Sequence, residues 1–384
     1  MNEAGLAPAF CFVLLVASRY HLSRNTLDKE SATSMQILIF GAGAVGCFLG
    51  AQLARGGHRV SLVGRPALAD AVRARGLRLR LASGEVHLVQ AQAFTSLHEA
   101  FGGSTSYDWI AFTMKAYDTV DAIFDLQPLL PAGVPVVSFQ NGIGNEDSLR
   151  SAFGAEQVAA ATLTTPVSMP EPGLVVEERA RGAAVATDTP AALPVLDALR
   201  DSPLEVTAIP DSAVLKWSKL LLNITGNALP AILDMLPGEV FAHPSLFRVE
   251  LTCLHEALAM MRLMGIPPVN LPGAPARTFS RIVRATPPLL LRPLLRRLVA
   301  GGRGDKAPSL LAALRRGDRR TEVAWLNGAV VQAADRLKRY APANHALALT
   351  LSDIASGRIP WESFRHNPEM LLAAVRTATG DYRR

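Results

Sequence analysis

Cysteine is scarce in this sequence, and none of it lies in a metal-binding pattern. The 384 residues include three cysteines, Cys11, Cys47 and Cys253, which are far apart and lack histidine neighbours at metal-ligand spacing. An odd number of scattered thiols excludes a disulfide framework and a zinc-binding motif, and it is typical of reduced, structural cysteines. We therefore predict a cytoplasmic protein that binds no metal.

The sequence also lacks an apolar run long enough to span a bilayer. The N-terminal run LAPAFCFVLLVAS is too short for a transmembrane helix, and no basic run precedes it as in a secretory signal. We predict that residues 1–34 are a poorly ordered extension or reflect an upstream start codon, with a cryptic targeting segment as the alternative. Stable membrane insertion is not expected.

The excess of positive charge is small. Lysine and arginine number 39 against 33 aspartates and glutamates, a net charge of +6 that suits an anionic ligand, a nucleic acid or an acidic surface. No homeodomain, zinc-finger or RNP-like pattern occurs, so a nucleic-acid partner is not expected. With 49% hydrophobic and 19% charged residues, the chain has a globular composition and is long enough for two domains.

A glycine-rich turn lies between two predicted strands. The segment MQILIFGAGAVGCFLGAQLARGGHRVSLVGR (35–65) predicts a strand, the turn, a helix and a second strand. Gly41, Gly43 and Gly46 have the dinucleotide-fingerprint spacing, which allows a tight turn and close approach of the backbone to a pyrophosphate. We predict an α/β, doubly wound Rossmann-type domain whose cofactor-binding residues are Gly41, Ala42, Gly43, Ala44, Val45 and Gly46.

The second strand ends at Arg65, where many dinucleotide-binding proteins have an acidic residue. A carboxylate there would hold a ribose 2′-hydroxyl, whereas a guanidinium can pair with a 2′-phosphate. Arg65 therefore favours NADP(H) over NAD(H); the alternative is a solvated surface arginine.

Two further predicted strands also end in polar residues. The run from Trp109 to Met114 meets Lys115, and VPVVSF runs into Gln140 and Asn141. Since ligands gather at the carboxyl ends of the strands in an open α/β sheet, Lys115 and Asn141 are predicted to share a crevice with the glycine turn. The alternative is that Lys115 and Asn141, taken separately, are ordinary loop residues.

Helical patterns replace strands after Pro210. Short strand-like runs such as LEVTAI are predicted to join the far edge of the sheet, and Asp211 with Ser212 to cap the first helix. We place the NADP(H)-binding domain at 35–210 and a helical substrate domain at 211–384.

The first helix of this half has an unusual polar stripe. VLKWSKLLLNITGNALPAI (Val214–Ile232) is predicted to be one buried helix, because it is apolar around most of its circumference. Lys216, Lys219, Asn223 and Asn227 fall within ~80° at 100° per residue.

A second predicted helix, TEVAWLNGAVVQAADRLKRYA (321–341), places Glu322 on the apolar face with Leu326 and Ala329. A carboxylate on an apolar face needs a partner, which favours a functional role for Glu322. The alternative is a structural role, because the helix dipole favours a glutamate in the first turn.

The basic, proline-interrupted segment Arg277–Lys306 has two interpretations: a membrane-surface or partner-binding segment, and a surface helix with a solvated arginine face.

Five motifs together resemble the ketopantoate reductase (2-dehydropantoate 2-reductase) family. GAGAVG, MKAYDT, QNGIG, KWSKLLLNITGN and TEVAWLNG occur in the family's order from Met35 onwards. The resemblance implies a Rossmann NADPH domain joined to an all-α domain like the C-terminal domain of 6-phosphogluconate dehydrogenase.

The resemblance also implies site residues. It makes Lys219 the catalytic acid, and it places Glu322 in the catalytic site as a partner of the substrate. The other implied positions are Asn223, Asn227, Ser309 and Asn141 for the substrate, and Lys115 and Asn141 for the cofactor. Hydride transfer to a 2-oxo carbon builds negative charge on the carbonyl oxygen, which an ammonium can stabilise and protonate. Nearby Lys216 is predicted to make the Lys219 proton easier to give.

The chain departs from the family pattern near the substrate. Ala324 replaces a frequent aspartate, Ala312 and Ala313 replace a Gln-Asp pair, and the interval from Ser309 to Glu322 is one residue longer. Our first hypothesis is NADPH-dependent reduction of ketopantoate to pantoate. The alternatives are a same-fold NADP-dependent enzyme for another 2-oxo or 3-hydroxy acid, and a non-catalytic nucleotide-binding module. The long apolar helices are compatible with a homodimer.

Overall fold

The computed structural model describes residues 34–102, 105–303 and 307–381; the side chains of 298–303 and 381 are not described. The predicted N-terminal extension, apart from Ser34, therefore lies outside the described residues, as does the end of the basic segment.

Short apolar runs form the strands of the described residues. In chain order these are β1 (Gln36–Phe40), β2 (Arg59–Val63), β3 (Leu77–Arg80), β4 (Val86–Val89), β5 (Gln92–Phe94), β6 (Trp109–Phe112), β7 (Val136–Ser138), β8 (Val158–Leu163), β9 (Val167–Glu171), β10 (Leu174–Glu177), β11 (Ala183–Ala186) and β12 (Val206–Ile209). Strands β1, β6, β7 and β8 are almost wholly buried, as expected for parallel strands covered on both faces.

The main sheet has eight strands in the order β12-β11-β8-β7-β6-β1-β2-β5. All neighbours are parallel except β8 and β11. Strand β12, which lies within the predicted run LEVTAI, forms the far edge, so that prediction is confirmed. A second sheet has the order β4-β3-β10-β9. The strand order turns back at β1, which is where a doubly wound sheet binds its ligand.

The helices flank the sheet in the first half and form the second half. They are α1 (Ala44–Arg55), α2 (Pro66–Arg75), α3 (Leu97–Ala100), α4 (Thr119–Leu126), α5 (Asn145–Phe153), α6 (Ala192–Asp201), α7 (Ser212–Ile224), α8 (Ala228–Leu233), α9 (Pro237–Ala242), α10 (Pro244–Leu263), α11 (Ala276–Ala285), α12 (Pro288–Arg303), α13 (Ser309–Arg315), α14 (Asn327–Arg336), α15 (Pro342–Ser356) and α16 (Pro368–Asp381). Shorter 3₁₀ turns occupy Ala116–Asp118, Ala155–Gln157, Glu322–Trp325 and Trp361–Ser363. The predicted Rossmann-like sheet followed by a helical half is confirmed.

Helix α7 joins the two halves. Asp211 Oδ1 accepts a hydrogen bond from Val214 N at 2.8 Å, so the predicted cap is confirmed. Leu215 is fully buried against Ala160 of β8 and Ala184 of β11, whose small side chains let the helix approach the sheet closely. This contact directs the next turn of α7 towards the carboxyl end of β8.

The predicted single helix Val214–Ile232 is wrong, because α7 ends at Ile224. Gly226 has a left-handed φ of +56°, and its N–H donates to the carboxylate of Glu250. Pro230 would clash with the carbonyl of residue 226 in a continuous helix. The chain therefore starts a new helix at Ala228.

The predicted single helix 321–341 is also wrong. Glu322–Trp325 forms a 3₁₀ turn, Leu326 has φ −102° and ψ −96°, and α14 begins at Asn327. The carbonyl of Trp325 accepts a hydrogen bond from Ile143 N at 3.0 Å, a partner outside the helix. This long-range contact interrupts the helical ladder.

The basic segment forms α11 and α12. Leu291 and Leu295 are buried, whereas Leu289 and Leu290 are 79% and 63% exposed. The segment is thus only partly a covered surface helix. In the described ranges, none of the helices is long and apolar enough to cross a membrane.

The described cysteines are buried. Cys47 and Cys253 are free thiols, and burial raises the pKa of Cys47 to about 12 and that of Cys253 well above its usual value. Cys11 lies outside the described residues. Within the described chain, no cluster of three or more histidine, cysteine, aspartate or glutamate side chains is placed to hold a metal ion.

A buried carboxylate ties α8 to two later elements. Asp234 follows α8 with a φ of +51°, and it accepts hydrogen bonds from Arg315 Nε at 2.7 Å and Arg365 Nε at 3.0 Å. Burial acts to raise the pKa of Asp234, but the two guanidinium groups outweigh it and lower the pKa.

We predict that Asp234→Asn lowers the free energy of unfolding at pH 7 by about 1–2 kcal/mol, since asparagine keeps the left-handed backbone but loses the charge. The ionised carboxylate is favoured in the folded state, so the difference from wild type should hold from pH 7 to about 4 and then shrink as the folded-state carboxylate is protonated. Urea unfolding across this range measures it. A difference that grows below pH 4 would contradict the assignment.

Candidate active site

The three glycines of the first turn have different environments. Gly41 has a φ of +99°, and an added Cβ would lie 2.4 Å from Met114 N. A Cβ at Gly46 would lie 2.6 Å from Thr113 Oγ1. A Cβ at Gly43 would meet only Gly41 O, at 4.0 Å. Gly41 and Gly46 are therefore required by packing against the chain after β6, while Gly43 faces open space.

The open space lies at the N-terminus of α1. Gly43 caps this helix without a side chain, and the first turn, Ala44-Val45-Gly46, carries no acidic residue. Unpaired N–H groups and the helix dipole make such an end attractive to an anion. Ala42 completes the turn by donating its N–H to Val63 O at 2.9 Å. The residues present thus fit a dinucleotide pyrophosphate.

Arg65 follows β2 and caps α2 through its backbone. Its side chain is exposed, and within the described ranges it makes no ion pair or hydrogen bond. A guanidinium that is not committed to a protein partner, at the end of the second strand, is available for a 2′-phosphate.

Glu322 and Lys115 form an ion pair. The Glu322 side chain is 7% exposed and that of Lys115 is 47% exposed. Lys115 Nζ contacts Glu322 Oε2, and Ala116 N donates to Glu322 Oε1 at 3.4 Å. The partner that this buried carboxylate requires is therefore Lys115, in the turn after β6.

The loop after β7 connects the sheet to the helical half. Asn141 Oδ1 accepts a hydrogen bond from Asn223 Nδ2 at 3.0 Å, and Asn141 O accepts one from Asn145 Nδ2 at 3.0 Å. Gly142 has a φ of +90°, and a Cβ there would lie 2.6 Å from Trp325 Cβ. Only glycine allows this loop to lie flush against the turn that carries Glu322.

Lys219 and Lys216 point to different places. Lys219 Nζ donates to Leu163 O, at the carboxyl end of β8, at 2.9 Å. Lys216 Nζ lies 2.6 Å from Glu146 Oε1 and donates to Gln140 O at 2.7 Å. Lys216 is therefore buried in an ion pair with Glu146, and its effect on the proton of Lys219 stays a prediction.

Asn227 is near the predicted site but not on the same helix as Lys219. Its Nδ2 donates to Asn223 O at 3.0 Å and to Ser309 Oγ at 3.4 Å. Its Oδ1 accepts from Leu310 N at 3.2 Å. The break after Ile224 therefore lets Asn227 hold the start of α13, where Ser309 is exposed.

Four adjacent parallel strands supply one edge of this site. Strands β1, β6, β7 and β8 have their carboxyl ends at the same edge of the sheet. Gly41 follows β1, Lys115 lies beyond β6, Asn141 lies beyond β7, and Leu163, the acceptor of Lys219, ends β8. The elements predicted separately from the sequence thus lie along one row.

Sequence reasoning missed Glu146 and Arg320 beside this row, and it did not foresee that Gln140 would contact Lys216. Glu146 and Gln140 hold Lys216, and Arg320 pairs with Asp118 at 2.8 Å beside the Lys115 turn. The only local signal at Glu146 was its place in the first turn of a helix, where acidic residues are common. No local pattern indicated its pairing with Lys216.

Comparison with known proteins identifies relatives over most of the chain. The family model described as "Ketopantoate reductase PanE/ApbA" matches residues 37–187, and "Ketopantoate reductase PanE/ApbA C terminal" matches residues 212–355. The 2-dehydropantoate 2-reductase of Pyrococcus horikoshii is 28% identical over 319 residues, covering 82% of this chain and 95% of its own. That of Archaeoglobus fulgidus is 28% identical over 334 residues, covering 84% and 98%.

Solved structures give the same result. A PanE/ApbA family ketopantoate reductase from Ralstonia eutropha superposes with a TM-score of 0.71 at 29% identity, covering 84% of this chain and 99% of that chain. A D-mandelate dehydrogenase solved with NADH and anilino(oxo)acetate shares the fold, with a TM-score of 0.69 at 20% identity over 84% of this chain and 99% of that one.

Two glycines of one turn offer a matched test of the pyrophosphate site. Gly43→Ala should leave the unfolding temperature nearly unchanged, because its Cβ meets open space, but weaken dinucleotide binding by roughly tenfold or more. Gly46→Ala should lower the unfolding free energy by about 1–3 kcal/mol through its clash with Thr113. Thermal unfolding and a nucleotide fluorescence titration measure both. Normal binding by Gly43→Ala would place the pyrophosphate elsewhere.

Proposed function

Because this chain belongs to the ketopantoate reductase family, we propose that it catalyses the NADPH-dependent reduction of 2-dehydropantoate (ketopantoate) to pantoate, a step towards pantothenate and coenzyme A. The family fixes the class of activity, a pyridine nucleotide-dependent oxidoreductase acting on a CH–OH group. The observation that carries the proposal is the row of site elements at the carboxyl ends of β1, β6, β7 and β8.

Lys219 is the proposed general acid. When bound, the reduced nicotinamide supplies the hydride. As negative charge develops on the substrate's carbonyl oxygen, the Lys219 ammonium would stabilise that oxygen and give it a proton. Its hydrogen bond to Leu163 O and its place on the packed helix α7 orient it before substrate arrives.

Amide and hydroxyl groups would orient the substrate. Asn141, in the loop after β7, and Asn223, on α7, are joined by a hydrogen bond and add donors and acceptors without adding charge. Asn227, whose Nδ2 donates to Asn223 O, also donates to Ser309 Oγ. We propose that these four residues hold the 2-oxo acid group beside Lys219.

Glu322 is proposed to accept a hydrogen bond from a substrate hydroxyl. Its carboxylate is already paired with Lys115, so that the substrate would share it with an ammonium. Such a contact discriminates strongly against substrates without the hydroxyl, because a buried polar group would lose its partner.

The alternative proposal is reduction of another 2-oxo acid. Ala324 is exposed two residues beyond Glu322, and Ala312 and Ala313 lie on α13, where the family pattern has polar side chains. These positions surround Ser309 and Glu322 in sequence, so a different group on the substrate could be recognised there while Lys219 is unchanged.

Activity measurements decide between the two proposals. NADPH oxidation should be fastest, by kcat/KM, with ketopantoate among ketopantoate, pyruvate, 2-oxoisovalerate and oxaloacetate. Lys219→Ala should lower kcat roughly 10²–10⁴-fold, since it removes the acid. Lys338→Asn, at an exposed lysine with a left-handed φ, is the control and should have the wild-type rate. Preference for another 2-oxo acid would support the alternative, and turnover of none would reject both.

Cofactor choice can be tested at Arg65. Arg65→Ser should raise the KM for NADPH about 10–100-fold and leave that for NADH nearly unchanged, because only the 2′-phosphate loses a charge-assisted partner. Arg75→Ser, at the exposed C-terminal end of α2, the helix that Arg65 caps, is the control for a general loss of positive charge. Equal effects on both cofactors would contradict the role of Arg65.

A further inference from the structure

A buried ion pair lies immediately behind the candidate active site. The side chains of Lys216 and Glu146 are 5% and 7% exposed, and Lys216 Nζ lies 2.6 Å from Glu146 Oε1. Lys216 is on α7, one turn before Lys219, whereas Glu146 is on α5. The pair therefore joins the helix of the proposed acid to the helix that follows the Asn141 loop.

The same ammonium also holds the loop itself. Lys216 Nζ donates to Gln140 O at 2.7 Å, and Gln140 directly precedes Asn141. Beyond Asn141 the loop contains Gly142 and Gly144, with φ values of +90° and +103°. Glycines restrict the backbone least, so the position of Asn141 depends on contacts from outside the loop.

Lys216 fixes the loop at the point where it meets α7. Asn141 Oδ1 accepts its hydrogen bond from Asn223, which lies two turns beyond Lys216 on the same helix. The loop and α7 thus touch at two points, Lys216 with Gln140 and Asn223 with Asn141. The hydrogen bond from Lys216 to Gln140 holds the loop at the distance from α7 at which Asn223 can reach Asn141.

Stability alone does not account for such a pair. Two charges lose hydration when they are buried, and apolar residues of similar size often serve stability equally well. An ammonium has three donors, so Lys216 can bind a carboxylate and a carbonyl together, which an apolar side chain cannot do. What the ion pair provides, and an apolar pair would not, is the hydrogen bond from Lys216 to Gln140 O.

We propose that Lys216 and Glu146 are positioning residues, which hold the Gln140–Asn141 segment where Asn141 meets Asn223 beside Lys219. Lys216 binds the Gln140 carbonyl, and Glu146 neutralises and orients Lys216. The inference deepens the proposed function and rests on it for its kinetic consequence. Its structural consequence, an ordered Asn141 loop, is measurable without any substrate.

The test separates positioning from stability by removing both charges at once. Lys216→Met and Glu146→Leu singly each leave an unpaired buried charge, and both should lower the unfolding temperature. The double variant Lys216→Met/Glu146→Leu should recover most of that loss. If the pair positions the loop, kcat of the double variant should stay reduced roughly tenfold or more, because a displacement of about 1 Å can cost 10²-fold. KM for the nucleotide should change much less than kcat.

Hydrogen exchange gives the second measurement. Amides of Asn141 and Ile143 should exchange faster in the double variant than in wild type, while those of α1 should not change. Arg365→Met, which removes one partner of buried Asp234 far along the chain, is the control. It should lower the unfolding temperature without accelerating exchange in the loop or reducing kcat.

The outcomes are distinct. Recovery of both stability and wild-type kcat by the double variant, with unchanged exchange in the loop, would overturn the inference and leave a purely structural ion pair. Slow turnover with fast loop exchange in an otherwise stable protein would support it. If the wild-type protein reduces no 2-oxo acid, the proposed function fails, and the exchange measurement alone decides the positioning role.

Discussion

The close contact between α7 and the alanine-lined face of β8 and β11 is the constraint on which the rest of the site depends. Ala160, Ala184 and Ala186 are fully buried, and Leu215 packs against them. Larger side chains on these strands would push the helix away from the sheet. The hydrogen bond of Lys219 to Leu163 and that of Asn223 to Asn141 both require this short separation.

Three of the buried carboxylates share one pattern. Glu146, Glu322 and Asp234 are buried carboxylates, and each is paired with a cation from a part of the chain distant in sequence. An isolated buried charge is very costly, so these pairs can form only when the partner elements are correctly placed. They therefore make the arrangement of the helices specific as well as stable.

Patterns confined to one segment were predictable, and contacts between distant segments were not. The glycine spacing and the strand ends located Gly41, Lys115 and Asn141 on one edge of the sheet, because parallel strands share a direction. Pro230 was a local signal for the helix break at Gly226. The prediction of one helix followed the apolar periodicity instead. The orientation of Lys216 had no local signal, since a helical wheel cannot show which neighbour covers each part of a stripe.

Ser309 is held by Asn227, a residue that lies far before it in the sequence. Asn227 binds both the Ser309 hydroxyl and the N–H of Leu310, so the start of α13 is anchored at the start of α8. Exposed positions of α11 and α12, such as Arg281 and Leu289, can accordingly vary during evolution without loss of the two hydrogen bonds that hold this end of α13. For protein engineering, those exposed positions are places where residues can be exchanged between relatives while α7 and the start of α13 are kept intact.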